Sequence, residues 1–173
     1  MPVYNIPVLN KTAGETLVLD RQVLAYIFIG SITTWNDPRI LLLQSASVAQ
    51  KLHNISYEPI HIMVRDDDSS STEVLTKSLD KFTDGEFTSD VGTPGSASTV
   101  WDTAVNPINI EKHQSASGLA AAVLLTEWSI GYCSLAEARL YNLSIPSFKQ
   151  NIRQKNPIKA SEHTCFVSLV VAT

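Results

Sequence analysis

Arg65, Asp66-Asp67-Asp68 and Ser69-Ser70-Ser71-Thr72 put one guanidinium, three carboxylates and four hydroxyls into a single short run, a combination suited to holding an oxyanion. The flanks place that run. Pro59 to Val64 carries Ile60, Ile62 and Val64 and predicts a strand, while Val74, Leu75, Ser78, Leu79 and Phe82 recur at helical spacing. The hydroxyls therefore fall on a helix N-terminus, where the first backbone N–H groups lack intrahelical partners and the helix dipole is positive. Arg65 and the amides and hydroxyls of Ser69, Ser70 and Ser71 are then the ligand-binding groups, Arg65 as a two-pronged donor, with Thr72 in support. The same residues fit a plainer role. Ser69 or Ser70 could be an N-cap with Glu73 at the far side of a capping box, and Arg65 with the aspartates a solvated loop. A divalent cation is the other chemistry clustered carboxylates suggest. The run lacks the D-x-D-x-D-G spacing of a calcium loop, and neither a metal nor another cofactor is expected.

Nothing else in the chain has the spacing of a catalytic centre. His53, His61, His113 and His163 stand far apart, and no H-E-x-x-H, G-x-S-x-G, phosphate-cradling loop or dinucleotide fingerprint occurs. The expectation is a protein that is not an enzyme. A net charge of −4 and a pI near 5.5 argue against nucleic-acid and membrane-surface roles, so an anion must be attracted locally. No apolar run reaches transmembrane length, which predicts no membrane insertion within this segment. With 173 residues, 44% of them hydrophobic, the chain can bury a sizeable core as one domain or one lobe of something larger. Cys133 and Cys165 could be a disulfide or two buried thiols. Asn10-Lys11-Thr12, Asn54-Ile55-Ser56 and Asn142-Leu143-Ser144 match the N-glycosylation acceptor pattern and point toward an extracellular chain.

The elements that must position Arg65 follow in order. Val3 to Pro7 is short and apolar, and Thr16 to Leu19 is a second strand. Asp20 is a plausible N-cap for a helix from Arg21 to Ile29 with Val23, Leu24, Ile27 and Phe28 on one face and Gly30 as its stop. Asn36 or Asp37 caps a helix with Pro38 at its first position, running through Leu41, Leu42 and Leu43, and Trp35 reads as a packing residue. Asp84 to His113 is loop-rich. From Ser115 a helix shows Leu119, Ala122, Val123 and Thr126 on one side and ends near Glu127. Ile130 to Cys133 is a strand, Leu135 to Tyr141 a short helix, and Cys165 to Ala172 a last strand or a buried helix. Alternating strands and helices predict an α/β domain with a sheet covered on both faces.

Several of these segments also resemble one family. Asn5-Ile6-Pro7, Leu17-Val18-Leu19-Asp20 and Ile27-Phe28-Ile29-Gly30-Ser31-Ile32-Thr33-Thr34-Trp35-Asn36-Asp37-Pro38-Arg39-Ile40 match, in order and spacing, segments of the phosphate-binding proteins that serve ABC-type phosphate importers. Arg65 to Thr72 resembles that family's R-S-D-G-S-G-T-T, Ser117 to Val123 its G-[IV]-A-A-x-V helix, Ser129 to Tyr132 its S-I-G-Y strand, and Val100-Trp101 its aromatic after a glycine-rich turn. The resemblance covers roughly residues 3 to 142 and only the family's second lobe. It implies a three-layer sandwich lobe of the type II periplasmic-binding-protein kind, with a mostly parallel sheet flanked by helices. The expected unit is 1–173 as a single lobe, with Met1 placed inside a longer natural protein. It further implies that Asp67 pairs with Arg65, that the ligand is inorganic phosphate or a similar oxyanion, and that the location is extracellular or periplasmic. A second lobe or a partner protein would complete the site. Where the family has glycines this chain has Asp68 and Ser70, and Asp66 and Asp68 add opposing charge. A sensory or protein-interaction module built on the same fold is the alternative.

Overall fold

A computed structural model describes residues 1–105 and 109–149. In chain order these form β1 (Pro2–Asn5), a 3-10 turn (Lys11–Ala13), β2 (Val18–Leu19), α1 (Arg21–Ile29), α2 (Pro38–Leu41), α3 (Ala46–His53), β3 (His61–Arg65) and α4 (Ser70–Phe82). Then come α5 (Glu86–Asp90), a 3-10 turn (Ser98–Thr103), β4 (Ile110–His113), α6 (Ala116–Leu125), β5 (Ser129–Tyr132), α7 (Leu135–Leu140) and β6 (Ser147–Phe148).

The main sheet runs β1-β5-β3-β4, with β3 parallel to β4 and β5, and β1 antiparallel at the β5 edge. Side chains alternate across it. Met63 and Gly131 meet α6 on one face; Ile62, Val64 and Ile130 are buried on the other. A Cβ at residue 131 would stand 2.8 Å from Val123 Cγ2 and 3.0 Å from Leu119 Cδ2, so glycine is what lets α6 lie this close. A two-stranded parallel pair, β2 with β6, extends the fold beyond β1.

The local signals in the sequence were largely followed. Asp20 Oδ1 accepts from Val23 N at 2.7 Å and caps α1, whose end is closed by Gly30 in the left-handed region (φ 83). Asp37 caps α2 with Pro38 at its first turn. Trp35 is fully buried, and its Nε1 donates to the Trp128 carbonyl at 2.8 Å. The span 84–113, expected to be loop, holds α5, a 3-10 turn and β4. β4 leaves no signal in the sequence because Ile-Glu-Lys-His is an edge strand whose residues are all half-buried or exposed, so it carries no apolar alternation. α3 likewise leaves a weak signal because only Val48 and Leu52 are buried. On α6 the buried residues are Leu119, Ala120 and Val123 rather than the expected Leu119, Ala122, Val123 and Thr126. Its sequence is apolar nearly all round and sets no phase. The expected last element, Cys165 to Ala172, and the possible Cys133–Cys165 disulfide lie outside the described residues. Cys133 is buried and has no disulfide partner among the described residues.

Candidate anion-binding site

Arg65 is the last residue of β3, at the carboxyl end of the parallel strands, and α4 starts five residues later. Asp66 to Ser69 turn the chain through that gap, and each carboxylate takes a different direction. Asp67 closes on Arg65, accepting from Nε at 2.6 Å and from Nη2, and accepts a third bond from Ser115 N at 3.1 Å. The pair implied by the family resemblance is therefore present. The guanidinium hydrogen bonds hold the Asp67 carboxyl down at about 2, and Asp67 in turn raises the pKa of Arg65. Asp66 accepts from Ser98 Oγ and Gln114 Nε2, both at 2.9 Å, and Asp68 from Ser96 Oγ at 3.1 Å. Both of these carboxylates are exposed and hydrogen-bonded to the neighbouring loop, so their opposition to a bound anion is screened by water.

The Nε–Nη2 edge of Arg65 is thus occupied by Asp67, so a two-pronged contact to a ligand has to come from elsewhere on the guanidinium. The Nη1–Nη2 edge remains, and it still offers two parallel N–H donors. At the other side of the site, Ser69 occupies the N-cap position of α4 but makes no side-chain cap bond, and its own N–H is taken by the Ser96 carbonyl at 2.9 Å. Glu73 pairs with Lys77 at 2.5 Å rather than closing a capping box. The uncapped first turn leaves the amides of Ser70 and Ser71, both exposed residues, as donors at a positive helix end.

Thr72 supports the site from behind. It is fully buried, and its Oγ1 lies 2.6 Å from the Tyr132 hydroxyl, which also accepts from Arg65 N at 3.0 Å. One phenol oxygen on β5 therefore ties the end of β3 to the start of α4. Burial raises the Tyr132 pKa, which keeps that oxygen a neutral hydroxyl. Tyr132, Gln114, Ser98 and Ser115 were not read as site residues. The pattern Ser129-Ile130-Gly131-Tyr132 carried the only available signal for Tyr132; nothing local marked Ser98. Ser115 sits at φ 65, ψ 162, a backbone region costly for any residue with a side chain, and there it both caps α6 and donates to Asp67.

The carboxyl end of the sheet thus sets a carboxylate-locked arginine beside a helix N-terminus in an α/β fold. The chain belongs to the PBP superfamily domain family, whose model matches residues 2–164. It is 32% identical over 149 residues to the phosphate-binding protein PstS 3 of Mycobacterium leprae, covering 80% of this chain and 36% of that protein. It is 39% identical over 83 residues to a putative serine/threonine-protein kinase/receptor, R818, of Acanthamoeba polyphaga mimivirus, covering 47% of this chain and 5% of that one. Among solved structures, a high-affinity periplasmic phosphate-binding protein (PfluDING) bound with phosphate superposes with a TM-score of 0.61 at 18% identity, over 90% of this chain and 38% of its own. The chain spans well under half the length of each of these proteins.

Proposed function

We propose that this chain is one lobe, residues 1–173, of a solute-binding protein, and that it holds inorganic phosphate or a similar oxyanion between Arg65 and the Ser69 to Ser71 helix start. The carrying observation is the Asp67-locked guanidinium beside the uncapped first turn of α4. The names of the PstS relatives support phosphate as the ligand and a binding rather than catalytic role, and the periplasmic source of the superposed phosphate-binding protein is in keeping with an extracellular or periplasmic location. Two sides of the anion would be met here, and a second lobe or a partner protein would cover the rest. The test is a phosphate titration followed by amide NMR shifts. Saturable shifts at Ser70 and Ser71 are expected, and Arg65→Ala should weaken binding by about 1.5–3 kcal/mol, the range for hydrogen bonds to charged groups. Unchanged affinity would remove Arg65 from the site, and absence of any shift in the unsubstituted chain would remove the site itself.

The match to a viral kinase/receptor favours a second role, that of a sensory or protein-interaction lobe in a larger receptor. Such a lobe would give no saturable heat with phosphate or sulfate by titration calorimetry.

A further inference from the structure

The three N-x-S/T triplets occupy one pole of the fold. β1 leaves the sheet at Asn5, which pairs with Ser129 at the start of β5, and the chain then forms the turn headed by Asn10. Asn142 follows α7 and shortly precedes Ser144, which bridges Tyr4 on β1. Asn54 is the C-cap of α3, on the segment that feeds the start of β3. All three thus sit where the chain enters the parallel strands, whereas Arg65 stands at the opposite, carboxyl end.

Direct contacts join the Asn10 turn to Asn142 and to α3. Lys11 Nζ donates to Asn142 Oδ1 at 2.9 Å; Glu15 Oε2 accepts from Asn10 N at 2.8 Å and from Lys51 Nζ, on α3, at 2.7 Å. Each of the three asparagines is exposed. Their amide orientations are chemically fixed at two positions. Asn10 Oδ1 accepts from the N–H groups of Thr12 and Ala13, and Asn142 Oδ1 from an ammonium, and these donors cannot accept in return. At Asn54 the oxygen is again the engaged atom, facing His53 Nδ1. None of the three Nδ2 atoms has an acceptor among the described residues, and Nδ2 is the atom to which an N-glycan is attached.

We infer that Asn10, Asn54 and Asn142 are N-glycosylated, so that one pole of the lobe is covered by carbohydrate while the Arg65 pole stays bare. The donor is a lipid-pyrophosphate-linked oligosaccharide. Nδ2 forms the bond to the anomeric carbon, the bond from that carbon to the pyrophosphate oxygen breaks with its electron pair leaving on the lipid pyrophosphate, and one Nδ2 proton is released. Each triplet supplies the hydroxyl two residues on that the transfer requires, from Thr12, Ser56 and Ser144.

The test uses the protein purified from the cells that naturally make it. Treatment with peptide-N-glycosidase in heavy-oxygen water converts each glycan-bearing asparagine to a labelled aspartate, which peptide mass spectrometry locates. Label at Asn10, Asn54 and Asn142, and none at Asn5 or Asn36, is the expected result. Recovery of any of the three only as unmodified asparagine overturns the inference at that position, and recovery of all three unmodified overturns it entirely. A chain carrying Ser56→Ala keeps Asn54 and should lose the label there alone; persistence of that label would mean that its source is not the triplet.

Discussion

Replacing Tyr132 with phenylalanine removes one oxygen atom and leaves the buried ring in place. That oxygen accepts the Arg65 N–H at 3.0 Å and lies 2.6 Å from Thr72 Oγ1. Thr72 can turn its hydroxyl to the Ser69 carbonyl three residues before it, which otherwise accepts only Glu73 N among the described residues, so the group left orphaned is the Arg65 amide. An unsatisfied buried polar group costs about 1–3 kcal/mol. For a chain of this length each kcal/mol lowers Tm by about 2–4 °C, so a fall between about 2 and 12 °C is expected. Tyr4→Phe is the matched control. Its hydroxyl accepts Leu17 N at 3.0 Å, far from Arg65, and burial likewise raises its pKa. Both variants should melt earlier in calorimetry. Only Tyr132→Phe should also weaken the phosphate-dependent shifts of Ser70 and Ser71, because only that phenol sets the start of α4 against the end of β3. A Tyr132→Phe melt within about 1 °C of the unsubstituted chain would refute the hydrogen-bond assignment. Equal effects of the two variants on phosphate binding would refute the positioning role.

Three further outcomes follow from the same geometry. The isolated chain should bind phosphate no more tightly than millimolar, about −4 kcal/mol, because one edge of Arg65 and two first-turn amides must also offset the ligand's lost freedom; micromolar affinity by calorimetry would mean that the lobe holds a complete site. The Asp67 carboxyl is depressed to about 2, so its stabilising contribution is fully present above the ordinary carboxylate pKa of ~4 and is lost as pH falls through that window. Asp67→Asn should therefore lower stability at neutral pH and flatten the acid limb of an unfolding curve between about pH 4 and 2, and an acid limb unchanged by the substitution would contradict the pairing. Burial raises the Cys133 thiol to about 11, so iodoacetamide at pH 8 should label the Cys133 peptide only after denaturation, and rapid labelling of the native chain would show that the thiol is accessible.

How much of this was legible beforehand depended on whether the signal was local. Asp20, Gly30, Asp37 and Pro38 each act on their own backbone within a few residues, so the sequence placed both ends of α1 and the start of α2, whereas α2 stops at Leu41 instead of running through Leu43. The strand-to-helix transition at Arg65 to Ser71 was equally legible, because two hydrophobic periods meet there. The resemblance then supplied the fold and the Arg65–Asp67 pair.

Tertiary structure alone decided the rest. Ser98, Gln114 and Ser115 reach Asp66 and Asp67 from segments that are remote in sequence, and a hydrogen bond between such segments leaves no spacing to read. It decided that Ser69 gives its amide to Ser96 and leaves the helix start uncapped, since a serine before a helix is compatible with either arrangement. It also decided which edge of Arg65 stays open. The residue types fixed the chemistry on offer, because charge and donor count belong to the side chain itself; the direction in which each group points was set by the packing of β3, β5, α4 and α6 around it.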